Sequence, residues 1–162
     1  MGFDQKFSLR ITLEAEVYPT EDEKRVLQAM KSIIPFNEEL DEVEITEGRV
    51  RILRVRKEGP DSLLKLRNSL RSNRVLDTAR SLLLSKKGVI KPLRFHKQAA
   101  SVGKVNLVDE EEFSPMGVIV LRIDYDGDPL ILADWLAPRT ERGEPVGEAT
   151  LQDLLYGRKT NL

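Results

Sequence analysis

The sequence predicts an α+β protein built on a mostly antiparallel sheet with helices packed on one face. Three observations point there. Apolar and polar residues alternate from Phe7 to Tyr18, the two-residue period of a half-buried strand. Apolar residues recur at helical spacing over 26–34, 63–83 and 130–136. Short turns rather than long crossovers join several of the strands, which favours antiparallel pairing.

The elements follow in order. Phe7, Leu9, Ile11, Leu13, Ala15 and Val17 form the buried side of the first strand, which Pro19 ends. Thr20 and Glu23 have the spacing of a capping box, and Val26, Leu27, Met30, Ile33 and Ile34 then make one helical face that stops at Pro35. Two strands over 40–46 and 49–57 read as a hairpin, acidic on one arm and basic on the other, so cross-strand ion pairs are expected. The second arm changes face, since Val50 and Ile52 share one side and Leu53 and Val55 the other. A bulge near Ile52 or burial on both faces would reconcile them.

Pro60 starts a long helical segment, and the polar Ser72-Asn73 step marks a bend or a break within it. Lys86-Lys87-Gly88 has the signature of a helix end. Residues 93–97 and 103–108 read as two short strands meeting at Gly103. The small Ala99 and Ala100 either admit a close neighbour or ease a bend. The acidic run 109–112 reads as a solvated loop, and 116–123 as a strand turned by Asp126-Gly127. Pro129 begins a helix with Asp128 as its cap, and Trp135 belongs to its apolar face. From Arg139 onward glycine and proline recur, and only 151–156 has the pattern of a short helix. The organisation expected is a single α+β domain over 1–140 and a loosely held C-terminal extension over 141–162.

Composition narrows the chemistry. The 162 residues contain no cysteine, which excludes disulfides, thiolate metal sites and cysteine catalysis. A charged fraction of 33% without cysteine suits a heat-adapted cytoplasmic protein. The opening residues carry no apolar leader, and the longest apolar runs are too short to span a bilayer, so a cytoplasmic location away from membranes is expected. Net charge is only -1, but it is unevenly spread. Between Arg49 and Lys104 there are 16 lysines and arginines against three acids, a net of +13, and the remainder carries -14.

That asymmetry points to a polyanion, and RNA contact is the sharpest reading. Arg67, Arg71 and Arg74 share a stripe if the helix runs on unbroken, and Arg49, Arg51, Arg54 and Arg56 decorate the basic strand. Lys97 and Lys104 extend the set. Guanidinium forks match phosphate oxygens. Phe95 is the only aromatic residue between Arg49 and Lys104, so recognition of backbone and shape in structured RNA or a ribonucleoprotein is expected, with no base-stacking platform. The competing reading is a solvated charged face paired with the acidic arms. A third is a homodimeric interaction module using a free sheet edge or an exposed Trp135.

Enzyme chemistry has little support. Asp124, Asp126 and Asp128 do not make a calcium loop, because glycine falls at the fourth position and Trp135 stands at the twelfth. His96 is the single histidine, which leaves no histidine metal cluster, and a structural role is its default. Phosphate-loop, dinucleotide and nucleophile-elbow motifs are all missing. The reading leans away from an enzyme, with no catalytic residue, metal or cofactor assigned.

Four separated segments carry a resemblance: 19–23 with Val26-Leu27, 74–80, 97–100 with 103–106, and 134–140. They resemble an uncharacterised archaeal family, classed as a domain of unknown function, whose fold is similar to large-subunit ribosomal protein five. The resemblance covers about 9–140 and implies a two-layer α+β fold and a suspected link to RNA. A relative has been proposed as an accessory to the RNA-degrading exosome, so exosome association is implied as well. His96 stands where that pattern has Asn or Asp, and no role tied to the position is carried over.

Overall fold

A computed structural model describes residues 6–109 and 117–158. In chain order the elements are β1 (Leu9–Val17), α1 (Glu23–Ile33), β2 (Glu42–Ile45), β3 (Arg51–Glu58), a 3-10 turn (Pro60–Leu63), α2 (Leu64–Ser72) and α3 (Leu76–Leu83). They continue with β4 (Leu93–His96), α4 (Lys97–Ser101), β5 (Leu107–Val108), β6 (Val118–Tyr125), α5 (Pro129–Leu136), β7 (Arg139–Glu141), β8 (Glu144–Val146) and α6 (Leu151–Tyr156). The fold is α+β, with six strands in the order β2-β3-β1-β6-β4-β5 and a separate β7-β8 pair. The chain forms two compact units: a sheet unit of 11–57 and 92–122, and a helical unit of 1–10, 58–91 and 123–162.

In the sheet unit the alternation of β1 is realised. Leu9 to Val17 bury every second side chain while Arg10 and Glu16 are exposed. The buried face of α1, Val26, Ala29, Met30 and Ile33, completes the core of this unit. The helix starts later than the capping-box spacing predicts. Asp22 is the cap, its carboxylate accepting the Lys24 amide at 3.0 Å, and Glu23, the predicted partner of Thr20, pairs with Arg51 at 2.5 Å instead.

The predicted hairpin forms as β2 and β3, antiparallel with Val43 opposite Val55 and Ile45 opposite Leu53. Leu53 and Val55 are fully buried, whereas Val50 precedes the strand and is 41% exposed. The apparent change of face therefore arises from counting a turn residue as strand.

The arms around Gly103 also pair antiparallel, Arg94 with Val108 and Phe95 with Leu107, but they do not meet in a simple turn. A short helix, α4, replaces the expected strand continuation. His96 Nδ1 accepts the Ala99 amide at 3.3 Å and caps α4, the role that Asn or Asp ordinarily fills, and Ala99-Ala100 is a strong helix-forming pair. Gly103, at φ 79, lets the chain reverse after it. The small residues do admit a close neighbour: Ala100 is 1% exposed and its carbonyl accepts the Ser32 hydroxyl of α1 at 2.8 Å. Of the acidic run 109–112, Asp109 is exposed and the rest lies outside the described residues, as does Met116 of the expected strand.

In the helical unit the break predicted at Ser72-Asn73 separates α2 from α3. Gly88 is not the helix cap: α3 ends at Leu83 with Leu84 as its cap, and Gly88 sits in a turn closed by the Leu84–Ile90 bridge. Asp128 caps α5 through the Leu130 amide at 2.9 Å, and Trp135 is 2% exposed, so it is core and not a surface anchor.

The stretch after Arg139 carries more structure than its glycines and prolines suggest. Arg142-Gly143, with φ 52 and 83, makes a two-residue turn between β7 and β8. Thr150 and Asp153 form a capping box on α6. Leu154 is buried, its carbonyl accepts the Tyr125 hydroxyl at 2.5 Å, and the Phe7 amide donates to Leu155 at 2.8 Å. Burial, followed by the charges of Asp126 and Asp128, pushes the Tyr125 phenol up to about 12, which keeps it a donor. Among the described residues no helix is long and apolar enough to cross a membrane.

Candidate nucleic-acid interface

The sheet unit holds six of the nine candidate cations, and most are already answered by carboxylates. The β2–β3 register sets Glu42 opposite Arg56 and Glu44 opposite Arg54. Because both strands alternate with period two, acids and arginines fall on the same face and pair. Arg56 reaches Glu44 at 2.7 Å and Glu42 at 3.2 Å, and Arg54 reaches Glu14 of β1 at 2.8 Å and Glu44 at 3.3 Å. Arg51 reaches Glu23 of α1 at 2.5 Å. The hydrogen bond from Arg56 holds the Glu44 carboxyl below its ordinary range, and the Glu14 hydrogen bond raises Arg54 above its own. The expected ion pairs between the hairpin arms are present.

Lys97 is further withdrawn. It is 3% exposed, and its ammonium donates to the Glu16 carbonyl at 2.7 Å, meets Glu21 at 3.0 Å and lies 5.1 Å from the centre of the Tyr18 ring. The Tyr18 hydroxyl donates to Glu16 at 2.5 Å, and that bond raises its pKa. Phosphate could reach Lys97 only by displacing this set. Arg49, in the turn before β3, and Lys104, after α4, are exposed and make no ion pair among the described residues.

The helical unit holds the other three. Arg67 and Arg71 lie one turn apart on α2 and converge on Glu148, Arg67 at 3.4 Å and Arg71 in closer contact. Arg67 is largely committed to the fold. Its Nε donates to the Trp135 carbonyl at 2.8 Å and its guanidinium stacks 5.3 Å from the indole centre. Burial and the neighbouring Arg71 lower its pKa. The Nε of Arg71 is buried without a hydrogen-bond partner.

The stripe of three does not survive, because α2 ends at Ser72 and Arg74 lies beyond it in the left-handed region, at φ 55. Arg71 and Arg74 instead line a pocket of about 550 Å³ with Asp77, Thr140, Arg142 and Glu144. The Thr140 hydroxyl donates to Asp77 at 2.6 Å. Arg74 and Arg142 are the only non-glycine residues with positive φ among those described, a conformation that costs about 1–2 kcal/mol each.

Sequence reasoning missed Arg142 and Glu148, which lie in the stretch read as a loose tail. It also missed Asp134, 7% exposed, which takes Arg80 at 2.7 Å and Arg158 at 2.8 Å. A lone acid inside the otherwise apolar 130–136 segment was the available signal for that pair. No group of acids and histidine suited to a metal ion occurs among the described residues.

Comparison with known proteins adds a family. A family model described as RNA binding matches residues 10–125. A UPF0201 protein of Sulfurisphaera tokodaii is 41% identical over 140 residues, covering 86% of this chain and 94% of that protein. One of Aeropyrum pernix is 38% identical over 153 residues, covering 90% and 95%. A solved UPF0201 structure from Methanococcus jannaschii superposes with a TM-score of 0.65 at 27% identity, covering 85% of this chain and 99% of the other.

Proposed function

We propose, from the premise that the chain belongs to the UPF0201 family and matches its RNA-binding model, that it is a non-catalytic, cytoplasmic protein that holds structured RNA by its phosphates. The observation that carries this reading is the extent of the match, since residues 10–125 contain all nine basic candidates from Arg49 to Lys104. Scarcity of aromatic residues in that stretch favours recognition of backbone over bases. The exposed cations Arg49 and Lys104 in the sheet unit, and Arg74 in the helical unit, are the ones able to meet phosphate without first losing a carboxylate. The paired arginines of β3 and α2 contribute only after exchanging partners.

The test is affinity for a structured RNA across a salt series, in the wild type and in a variant with Arg49→Glu and Lys104→Glu. Both side chains are exposed, so the fold is preserved. Each lost phosphate contact should lower the slope of log affinity against log salt by about 1. No binding at low salt, or a slope unmoved by the double change, overturns the reading.

A homodimer is a second reading, supported by β2 lying at the sheet edge with Leu40 84%, Ile45 47% and Val50 41% exposed at or beside it. Light scattering that gives a monomer over the working concentration range counts against it.

A further inference from the structure

Two positions of the helical unit have backbone conformations normally given to glycine or asparagine, and both hold arginine. Arg74 follows the end of α2 at φ 55, with the Val75 amide donating to the Leu70 carbonyl at 3.0 Å. That is the place of a helix-terminating glycine. Arg142 opens the Arg142-Gly143 turn at φ 52, where Asn-Gly is the usual pair. Unfavourable local choices of this kind concentrate at binding sites. Here the two share one pocket, with Arg71 as its third cation.

We propose that this pocket holds the phosphate of one nucleotide, gripped by Arg71, Arg74 and Arg142. The proposal deepens the RNA-binding reading and rests on it for the source of that nucleotide. Three guanidinium groups offer forked donors that match the oxygens of a phosphate. The acids Asp77 and Glu144 in the same lining reduce it to a net of one positive charge, which suits a single phosphate better than a polyphosphate. Glu144 also offers an acceptor to sugar hydroxyls. A volume of about 550 Å³ is sufficient for a nucleoside attached to that phosphate.

The experiment titrates the full chain with a uridine oligoribonucleotide, with uridine monophosphate and with inorganic phosphate, using wild type, Arg74→Gly and Arg142→Asn. Glycine and asparagine suit the left-handed backbone, so both variants should melt at or above the wild-type temperature. Affinity for the oligonucleotide and the mononucleotide is expected to fall at least tenfold in each. If the wild type binds RNA and both variants bind it equally well, this inference is overturned and the RNA-binding reading stands. If the mononucleotide binds through these arginines and no RNA binds, the pocket assignment is supported and the RNA-binding reading is overturned. Binding of inorganic phosphate as tight as that of the mononucleotide overturns the assignment to a nucleotide.

Discussion

On β3, Arg54 and Arg56 meet Glu14, Glu42 and Glu44 at 2.7 to 3.3 Å. At the elbow after α2, Arg74 meets no carboxylate among the described residues, and Arg71 shares a single acid, Glu148, with Arg67. The two regions are similarly rich in arginine, yet the charge each can offer a partner differs. In the hairpin, acids and arginines alternate on neighbouring strands at the same period, so the register that buries Leu53 and Val55 also pairs the charges. At the elbow the acid that pairs with Arg71 arrives from 77 residues away and is shared with Arg67. Positive charge in a sequence becomes a binding surface only where the fold fails to answer it.

The largest expected effect lies at the extreme of the answered class. Lys97→Met should cost about 3–5 kcal/mol, because it leaves Glu21 charged and buried with its partner removed. Denaturant unfolding measures this. The salt slope of RNA binding, taken where the variant is still folded, should not change. A cost below about 1 kcal/mol with a lowered slope would move Lys97 into the available class and break the comparison.

Much of the fold was legible because it rests on local pattern. The alternation of β1, the β2–β3 arms, the break after Ser72 and the Asp128 cap all follow from neighbouring residues. What escaped depends on partners distant in sequence or on backbone conformation. The alternation around Gly103 gave no warning that His96 would cap a helix there. The site was less legible still. Sequence counts Lys97 and Arg74 alike, yet one is 3% exposed and the other open to solvent. Nor does Glu-Arg-Gly-Glu carry the Asn-Gly or Asp-Gly signal that would have disclosed the β7–β8 turn and placed Arg142 in a pocket.

A smaller effect comes from removing the acids instead of the cations. Glu148→Gln should release Arg71 and the outer nitrogen of Arg67, raising RNA affinity at low salt several-fold for a stability cost of about 1 kcal/mol or less. Glu44→Gln should do less for binding, because Glu14 still holds Arg54 and Glu42 still holds Arg56. Filter binding of the two variants side by side measures the contrast. Equal gains would mean that the hairpin arginines are as available as those of the elbow.

The smallest effect is one of pH, and its sign follows from Glu44. The hydrogen bond from Arg56, and then its charge, lower the Glu44 pKa from the ordinary 4.5. A depressed carboxylate contributes stability above its unfolded pKa and loses it as pH falls through the folded one. The clamp on the hairpin is therefore complete at neutral pH and released only in acid below about 4.5. Arginine stays charged throughout, so protonating Glu44 removes one of the two acids on each of Arg54 and Arg56 and leaves Glu14 and Glu42 in contact with them. With a uridine oligomer, whose bases do not titrate in this range, the salt slope of binding should stay constant from pH 7 down to about 4.5 and steepen slightly only in stronger acid. An Arg54→Gln, Arg56→Gln variant should match the wild type at pH 7 and show less steepening in acid. Loss of binding at pH 7 in that variant would mean that paired arginines bind RNA as readily as unpaired ones, and the distinction between the two regions would fall.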